Sequence, residues 1–201
     1  ELYLLVNGLS WAAFWAGFVG LLYLAVEPFV RRNWPDALIS WLRMVGGRFR
    51  DPLATSHVLV GISTGLVLAL LQAATVWATN DLQTPLLLSL NGPRFLFGNL
   101  LVGLRNSAFF AVGVILLLVL LRSVVRRTRV ADVLFVVFLS LLAISSPATI
   151  PVTALAFAAN VWILRRFGLL ALVAMSFANG AVQNQPLAAT SWYAALSMTT
   201  P

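Results

Sequence analysis

Six long apolar runs, separated by short polar or arginine-bearing segments, dominate the chain. A helix of about 20 apolar residues crosses the hydrocarbon core of a bilayer, which is roughly 30 Å thick. The pattern therefore predicts an all-α fold, a polytopic transmembrane helix bundle that forms a single domain over residues 1–201. The predicted spans cover residues 5–30, 58–79, 106–125, 130–146, 152–164 and 167–182.

Three segments are predicted to lie on the outer side of the membrane. Residues 80–104 contain Asn91-Gly92-Pro93 and are predicted to form an outer loop that dips into the membrane interface. Pro147 and Pro151 predict a tight outer turn between spans four and five. Asn179 to Gln185 is a polar segment, for which we favour an ordinary outer loop over a pore entrance.

A short amphipathic helix is predicted over residues 35–46, between the first two spans. Pro35 suits a first helical turn and Gly46-Gly47 suits a stop, which limits the helix to about three turns, too few to span. A helix of this kind lies in the headgroup plane, although a cap packed on the bundle ends is the alternative. Its apolar face, at i, i+3, i+4 and i+7, comprises Leu38, Trp41, Leu42 and Val45, with Ser40 and Arg43 off it.

All thirteen basic residues are arginines, and the formal net charge is +7. They gather at the ends of apolar runs rather than along a polar surface, which argues against nucleic acid as the partner. Short arginine-rich loops stay on the cytoplasmic side of a bilayer, so the arginine-rich loops are predicted to face the cytoplasm. The partner there is the anionic inner leaflet. The predicted interface residues are Arg31, Arg32, Trp41, Arg43, Arg48, Arg50, Arg126, Arg127, Arg165 and Arg166.

Two acidic residues lie next to these arginines. Glu27 precedes Arg31 by four residues, so an ion pair near the membrane surface is predicted, with a proton relay as the alternative. Asp132 lies near the start of span four, where a carboxylate suits the positive helix terminus. Within span two, Gly61 and Gly65 have the spacing that lets another helix approach closely.

The sequence offers little material for catalysis. It contains no cysteine and no lysine, which excludes thiolate chemistry, Schiff bases and a P-loop lysine. His57 is the only histidine, whereas a zinc site needs three or four converging ligands. We therefore predict no catalytic residue, no cofactor and no metal site, and expect the chain not to be an enzyme by itself.

Residues 22–53 resemble the start of the multipass membrane domain of certain bacterial serine/threonine protein kinases. The resemblance implies a cytosolic kinase domain upstream and one more helix downstream. No kinase active-site residue maps onto the chain, because it holds no lysine and no HRD or DFG sequence. The matching residues are Glu27-Pro28, Arg31-Arg32, Trp34-Pro35, Ile39-Ser40-Trp41 and Gly47 to Leu53, followed later by Arg166 to Leu172 and Ser191 to Ala194.

Two functions from different classes follow from these observations. The first is a non-catalytic membrane anchor or sensor domain, like that of such a kinase, which holds a kinase domain or a partner module near the inner leaflet. The second is a scaffold or accessory subunit of a larger membrane complex, for example a photosynthetic or respiratory one. A small transporter is a weaker third possibility, because transporters need intramembrane charges and broken helices.

Overall fold

The computed structural model describes residues 2–48, 50–79, 93–125, 127–143 and 149–183. Within those ranges the chain forms α-helices and one short 3₁₀ turn at Pro35–Leu38, and no strand. The α-helices are α1 (Leu2–Asn33), α2 (Ile39–Val45), α3 (Pro52–Thr79), α4 (Pro93–Val125), α5 (Thr128–Leu142), α6 (Ile150–Phe167) and α7 (Leu169–Gln183).

Four of these helices are long and apolar enough to cross a membrane, so the prediction of an all-helical, multipass membrane protein is confirmed. The predicted count of six spans is not confirmed. Helices α5 and α7 have 15 residues each and extend only about 22 Å at 1.5 Å per residue, which is less than the thickness of the bilayer core. The four candidate spans are Val6–Arg32, Pro52–Val76, Arg94–Val125 and Ile150–Phe167.

The closest helix pair is α3 with α7, and glycines make it possible. A Cβ at Gly61 would overlap the carbonyl oxygen of Ala171 and lie 2.9 Å from the Ala174 Cβ. A Cβ at Gly65 would overlap the carbonyl oxygen of Met175. The predicted use of this glycine pair for close helix packing is confirmed, and α7 is the partner.

The contacts along each pair fix the helix directions. In α3 and α7, Gly61 meets Ala171 and Gly65 meets Met175, so the two helices run the same way. In α1 and α4, the Trp15 and Phe109 rings lie 5.6 Å apart, and Trp34 just after α1 meets Arg122 near the end of α4. These two helices are therefore also parallel, and the ends of α1 and α4 reach the same end of the bundle.

A single residue, Gly168, turns the chain from α6 into α7. Its φ of +86° lies in the left-handed region that suits glycine. Its N–H closes α6 by donating to the carbonyl oxygens of Ile163 and Leu164, both at 3.1 Å. A Cβ here would overlap the carbonyl oxygen of Ala37, so the glycine also lets the 3₁₀ turn rest directly on the α6–α7 corner.

Several predicted boundaries are wrong. Residues 93–104 belong to α4 rather than to an outer loop, and residues 80–92 lie outside the described residues. Span two begins earlier than predicted, since α3 starts at Pro52. Pro151 lies in the first turn of α6, and Pro147, which frames the other side of the predicted outer turn, lies outside the described residues.

Candidate functional site

Trp34 is the residue on which the arginine-bearing end of the bundle is assembled. The backbone N–H of Trp34 donates to the carbonyl oxygen of Val30 at 2.7 Å, which holds Trp34 at the end of α1. The guanidinium carbon of Arg122 lies 5.0 Å from its ring centroid, and that of Arg165 lies 5.6 Å away. Both separations are within cation–π range, so one half-buried ring contacts the final turns of both α4 and α6.

Asp132 brings α5 to the same cluster. Its Oδ1 accepts a hydrogen bond from Arg165 Nη2 at 2.6 Å. The residues are 33 positions apart and both are only partly exposed. The sequence predicted Asp132 beside an arginine cluster but did not identify Arg165 as its partner.

Glu27 and Arg31 form an ion pair one helical turn apart, as they were predicted to do. The Arg31 Nη2 atom lies 2.6 Å from Glu27 Oε1, and Arg31 Nε also donates to that oxygen at 2.7 Å. The Arg31 side chain is 57% exposed, so the pair itself contributes little to stability. This geometry supports a surface pair rather than a proton relay.

The short helix α2 packs on the bundle with a side that overlaps the predicted apolar face only in part, since Leu38 just before it is 2% exposed. Ser40 is fully buried, although it was predicted to lie off the packed face, and Trp41 is half-buried. Leu42 and Val45 were predicted to share the face of Trp41 and are 38% and 68% exposed. The helix is therefore a cap on the bundle that also presents apolar side chains outward.

Arg43 and Asp51 join α2 to the start of α3. Arg43 Nη1 donates to Asp51 Oδ2 at 2.7 Å, and the Leu53 N–H donates to Asp51 Oδ1 at 2.9 Å. Asp51 is thus the N-cap of α3, with Pro52 in the first helical position that proline favours. Both hydrogen bonds lower the pKa of the Asp51 carboxyl below its usual value, and the bond from Arg43 has the larger effect.

The other predicted interface arginines lie at this end without an ion pair to any described residue. Arg126 lies outside the described residues. The exposed arginines in this set are Arg32, Arg48, Arg50, Arg127 and Arg166.

His57 also lies at this end and contacts Phe167. The two rings meet edge-on with centroids 5.7 Å apart. No group of three or more His, Asp or Glu that could hold a metal ion occurs in the part of the chain that the structure describes. His57 therefore acts as a structural link between α3 and the end of α6.

The opposite end of the bundle is built from aromatic and amide side chains. Arg105 lies over the Trp15 ring at 4.8 Å. Gln183 donates to Gln72 across the α3–α7 pair and to Asn179 at 3.1 Å on its own helix. The prediction of a loop from residue 179 is thus wrong as far as residue 183, and residues 184 and 185 lie outside the described residues.

The role of Trp34 was missed at the sequence level. Its partners lie 88 and 131 positions further along the chain, so no local pattern indicates them. The available signal was a tryptophan two residues after a predicted cytoplasmic arginine pair, within the motif of residues 22–53. No protein-family model, curated protein or solved structure matches the chain.

Proposed function

We propose that the chain is a non-catalytic membrane anchor or sensor domain, resembling that of bacterial serine/threonine kinases. One observation carries the proposal: Trp34, Arg122, Arg165 and Asp132 draw α1, α4, α5 and α6 together at one end. This end also carries several exposed arginines, so it forms a positively charged surface on one side of the bundle, here called the platform. A module bound at the ends of α1 and α4 would be held close to that platform. Because α1 begins on the opposite side, a kinase domain upstream of it would be cytosolic only if one further span preceded α1.

The proposed orientation places this platform on the cytoplasmic side of a bacterial inner membrane. Eleven of the thirteen arginines then lie inside, with only Arg94 and Arg105 outside. The same orientation makes α5 and α7 outward spans, which completes six passes. Their 15-residue lengths are short of the core by about 8 Å, which local thinning of the bilayer and snorkelling side chains accommodate.

A scaffold subunit of a larger membrane complex is the second candidate, and α1 favours it. Only 6% of the α1 span is buried within the chain. Its outward residues include Leu9, Trp11 and Leu21, which are 67%, 57% and 68% exposed. Such an uncovered apolar face is available for packing against the helices of another subunit.

Purification of the native protein from its own membranes separates the two functions. Intact-mass measurement of the purified polypeptide, together with incorporation of labelled phosphate from ATP, is the test. The anchor proposal predicts a polypeptide that is heavier than the 21.8 kDa of these residues by a kinase-sized segment and that phosphorylates itself. Stoichiometric foreign subunits or bound pigment without phosphate incorporation would contradict it and support the scaffold function.

A further inference from the structure

The turn between α2 and α3, residues 46–51, carries two arginines that the bundle does not use. Arg43, just before the turn, is paired with Asp51 at 2.7 Å. Arg48 and Arg50 are exposed, and neither forms an ion pair with a described residue. Their two charges are therefore available to an external anion.

The one carboxylate in the turn does not cancel these charges. Asp51 Oδ2 accepts from Arg43 and Asp51 Oδ1 accepts from the Leu53 N–H at 2.9 Å, so both oxygens are engaged. Because Arg43 neutralises Asp51, the positive charge of Arg48 and Arg50 remains uncompensated locally.

The backbone of the turn is held in place by hydrogen bonds. The N–H groups of Gly46, Gly47 and Arg48 donate to the carbonyl oxygens of Leu42, Met44 and Arg43 at 2.9, 3.0 and 3.0 Å. Gly47 has a φ of +81°, which allows the chain to reverse at the end of α2. The Asp51 N–H also donates to the Arg48 carbonyl oxygen at 3.3 Å. The described backbone on either side of the two arginines is therefore held, which lowers the entropy lost when they bind a ligand.

Arg48 and Arg50 line the same open cleft as Gly47 and Asp51, with a volume of about 550 Å³. Guanidinium groups suit phosphate oxygens because they donate parallel hydrogen bonds. Three apolar residues that flank the turn in sequence, in α2 and α3, are exposed. They are Leu42 at 38%, Val45 at 68% and Leu53 at 37% exposure.

We propose that this turn binds the phosphate of one anionic phospholipid headgroup, held by Arg48 and Arg50. The exposed side chains of Leu42, Val45 and Leu53 contact the acyl chains, which selects a lipid over free phosphate. The inference rests on the proposed function in placing the turn at the membrane surface, and it specifies which arginines recognise the leaflet.

Native mass spectrometry of the full chain in detergent tests the site, with phosphatidylglycerol and phosphatidylcholine offered in equal amounts. The unaltered protein should retain one phosphatidylglycerol in preference. The Arg48→Gln/Arg50→Gln variant should lose about tenfold of that preference. The Arg94→Gln/Arg129→Gln variant removes the same charge at two exposed arginines outside the predicted interface set, and should lose less than about twofold. Val45→Ser/Leu53→Ser should weaken lipid retention while leaving binding of inorganic phosphate unchanged.

Equal loss in both arginine variants would overturn the proposal, since it would indicate general attraction by net charge. Retention of phosphatidylglycerol by Arg48→Gln/Arg50→Gln would overturn it directly. Displacement of the lipid by millimolar inorganic phosphate would show a free-phosphate site instead. A thermal melt of each variant in detergent shows that it is folded, and the assay does not depend on an attached kinase, so its failure and that of the proposed function are distinguishable.

Discussion

Two helices of this chain carry glycines among apolar residues and use them differently. In α3, Gly61 and Gly65 lie so close to α7 that a Cβ at either position would overlap its backbone. In α1, a Cβ at Gly8, Gly17 or Gly20 would meet nothing within 4 Å. The buried fraction of the two spans differs in the same direction: 22% of the α3 span is buried within the chain, but only 6% of the α1 span.

The difference lies in the surface opposite each glycine. Helix α7 presents Ala171, Ala174 and Ala178 to α3, so that two slender surfaces meet. Helix α1 meets α4 through bulky rings, such as Phe18 and Phe109 at 5.9 Å. Small-residue spacing thus permits close approach, and a matching small surface on the partner helix is what completes it.

The largest expected effect comes from filling the α3–α7 contact. Gly61→Ala combined with Gly65→Ala should cost about 3 kcal/mol or more, because the new methyl groups overlap backbone atoms that cannot give way. Reversible unfolding in mixed detergent measures this cost. Gly17→Ala is the matched control in α1 and should be neutral or more stable by up to about 1 kcal/mol, since alanine favours the helix. Equal effects at both sites would erase the distinction between the two helices.

A smaller effect is expected at the arginine-bearing end. Trp34→Ala removes a half-buried ring and its contacts with Arg122 and Arg165, and should cost about 2 kcal/mol. Trp11 in α1 is 57% exposed. Trp11→Ala should therefore change the unfolding free energy by less than about 0.5 kcal/mol in detergent. The comparison would fail if Trp11 proved the more costly of the two.

The smallest expected effect is a pH dependence of stability that arises from Asp51, just before α3. The pKa of Asp51 in the folded chain lies below its usual value of 3.8, because Arg43 and the Leu53 N–H donate to its carboxylate. Its stabilising contribution is therefore complete above the unfolded-state pKa and is lost as the pH falls through the lower folded-state pKa. Melting temperatures measured from pH 6 down to pH 2 should show a gap between the unaltered protein and Asp51→Asn that narrows only at the acid end. A constant gap would contradict the assignment.

The sequence was informative wherever a local signal controls the structure. Gly46-Gly47 ends α2 as predicted, with Gly47 at positive φ, and the i, i+4 spacing brings Glu27 to Arg31. The start of α4 was missed because Arg94 and Asn99 interrupt the apolar run, and a helix can continue beyond the membrane where no apolar run is needed. Helix formation and membrane crossing are separate properties, and hydropathy reports only the second.

The candidate site depended on contacts that no local pattern encodes. The links of Trp34 with Arg122 and of Asp132 with Arg165 join distant parts of the chain. Ser40 was placed off the apolar face by its position in the helical repeat, yet it is buried. The packed side of this corner carries small residues, Ala37 and Ser40, which allow the short helix to approach the bundle closely. In a helix of seven residues, apolar periodicity cannot distinguish that side from the outward one.

Labelling of single cysteines from each side of the membrane tests the central claim, that the arginine-bearing ends of α1, α4 and α6 share one side. The chain has no cysteine of its own, so Arg32→Cys, Arg127→Cys, Arg166→Cys and Asn7→Cys each introduce a unique thiol. With an impermeant maleimide, the three arginine positions should react in inverted vesicles and the Asn7 position only in spheroplasts. Reaction of any arginine position from the same side as the Asn7 position would contradict the account.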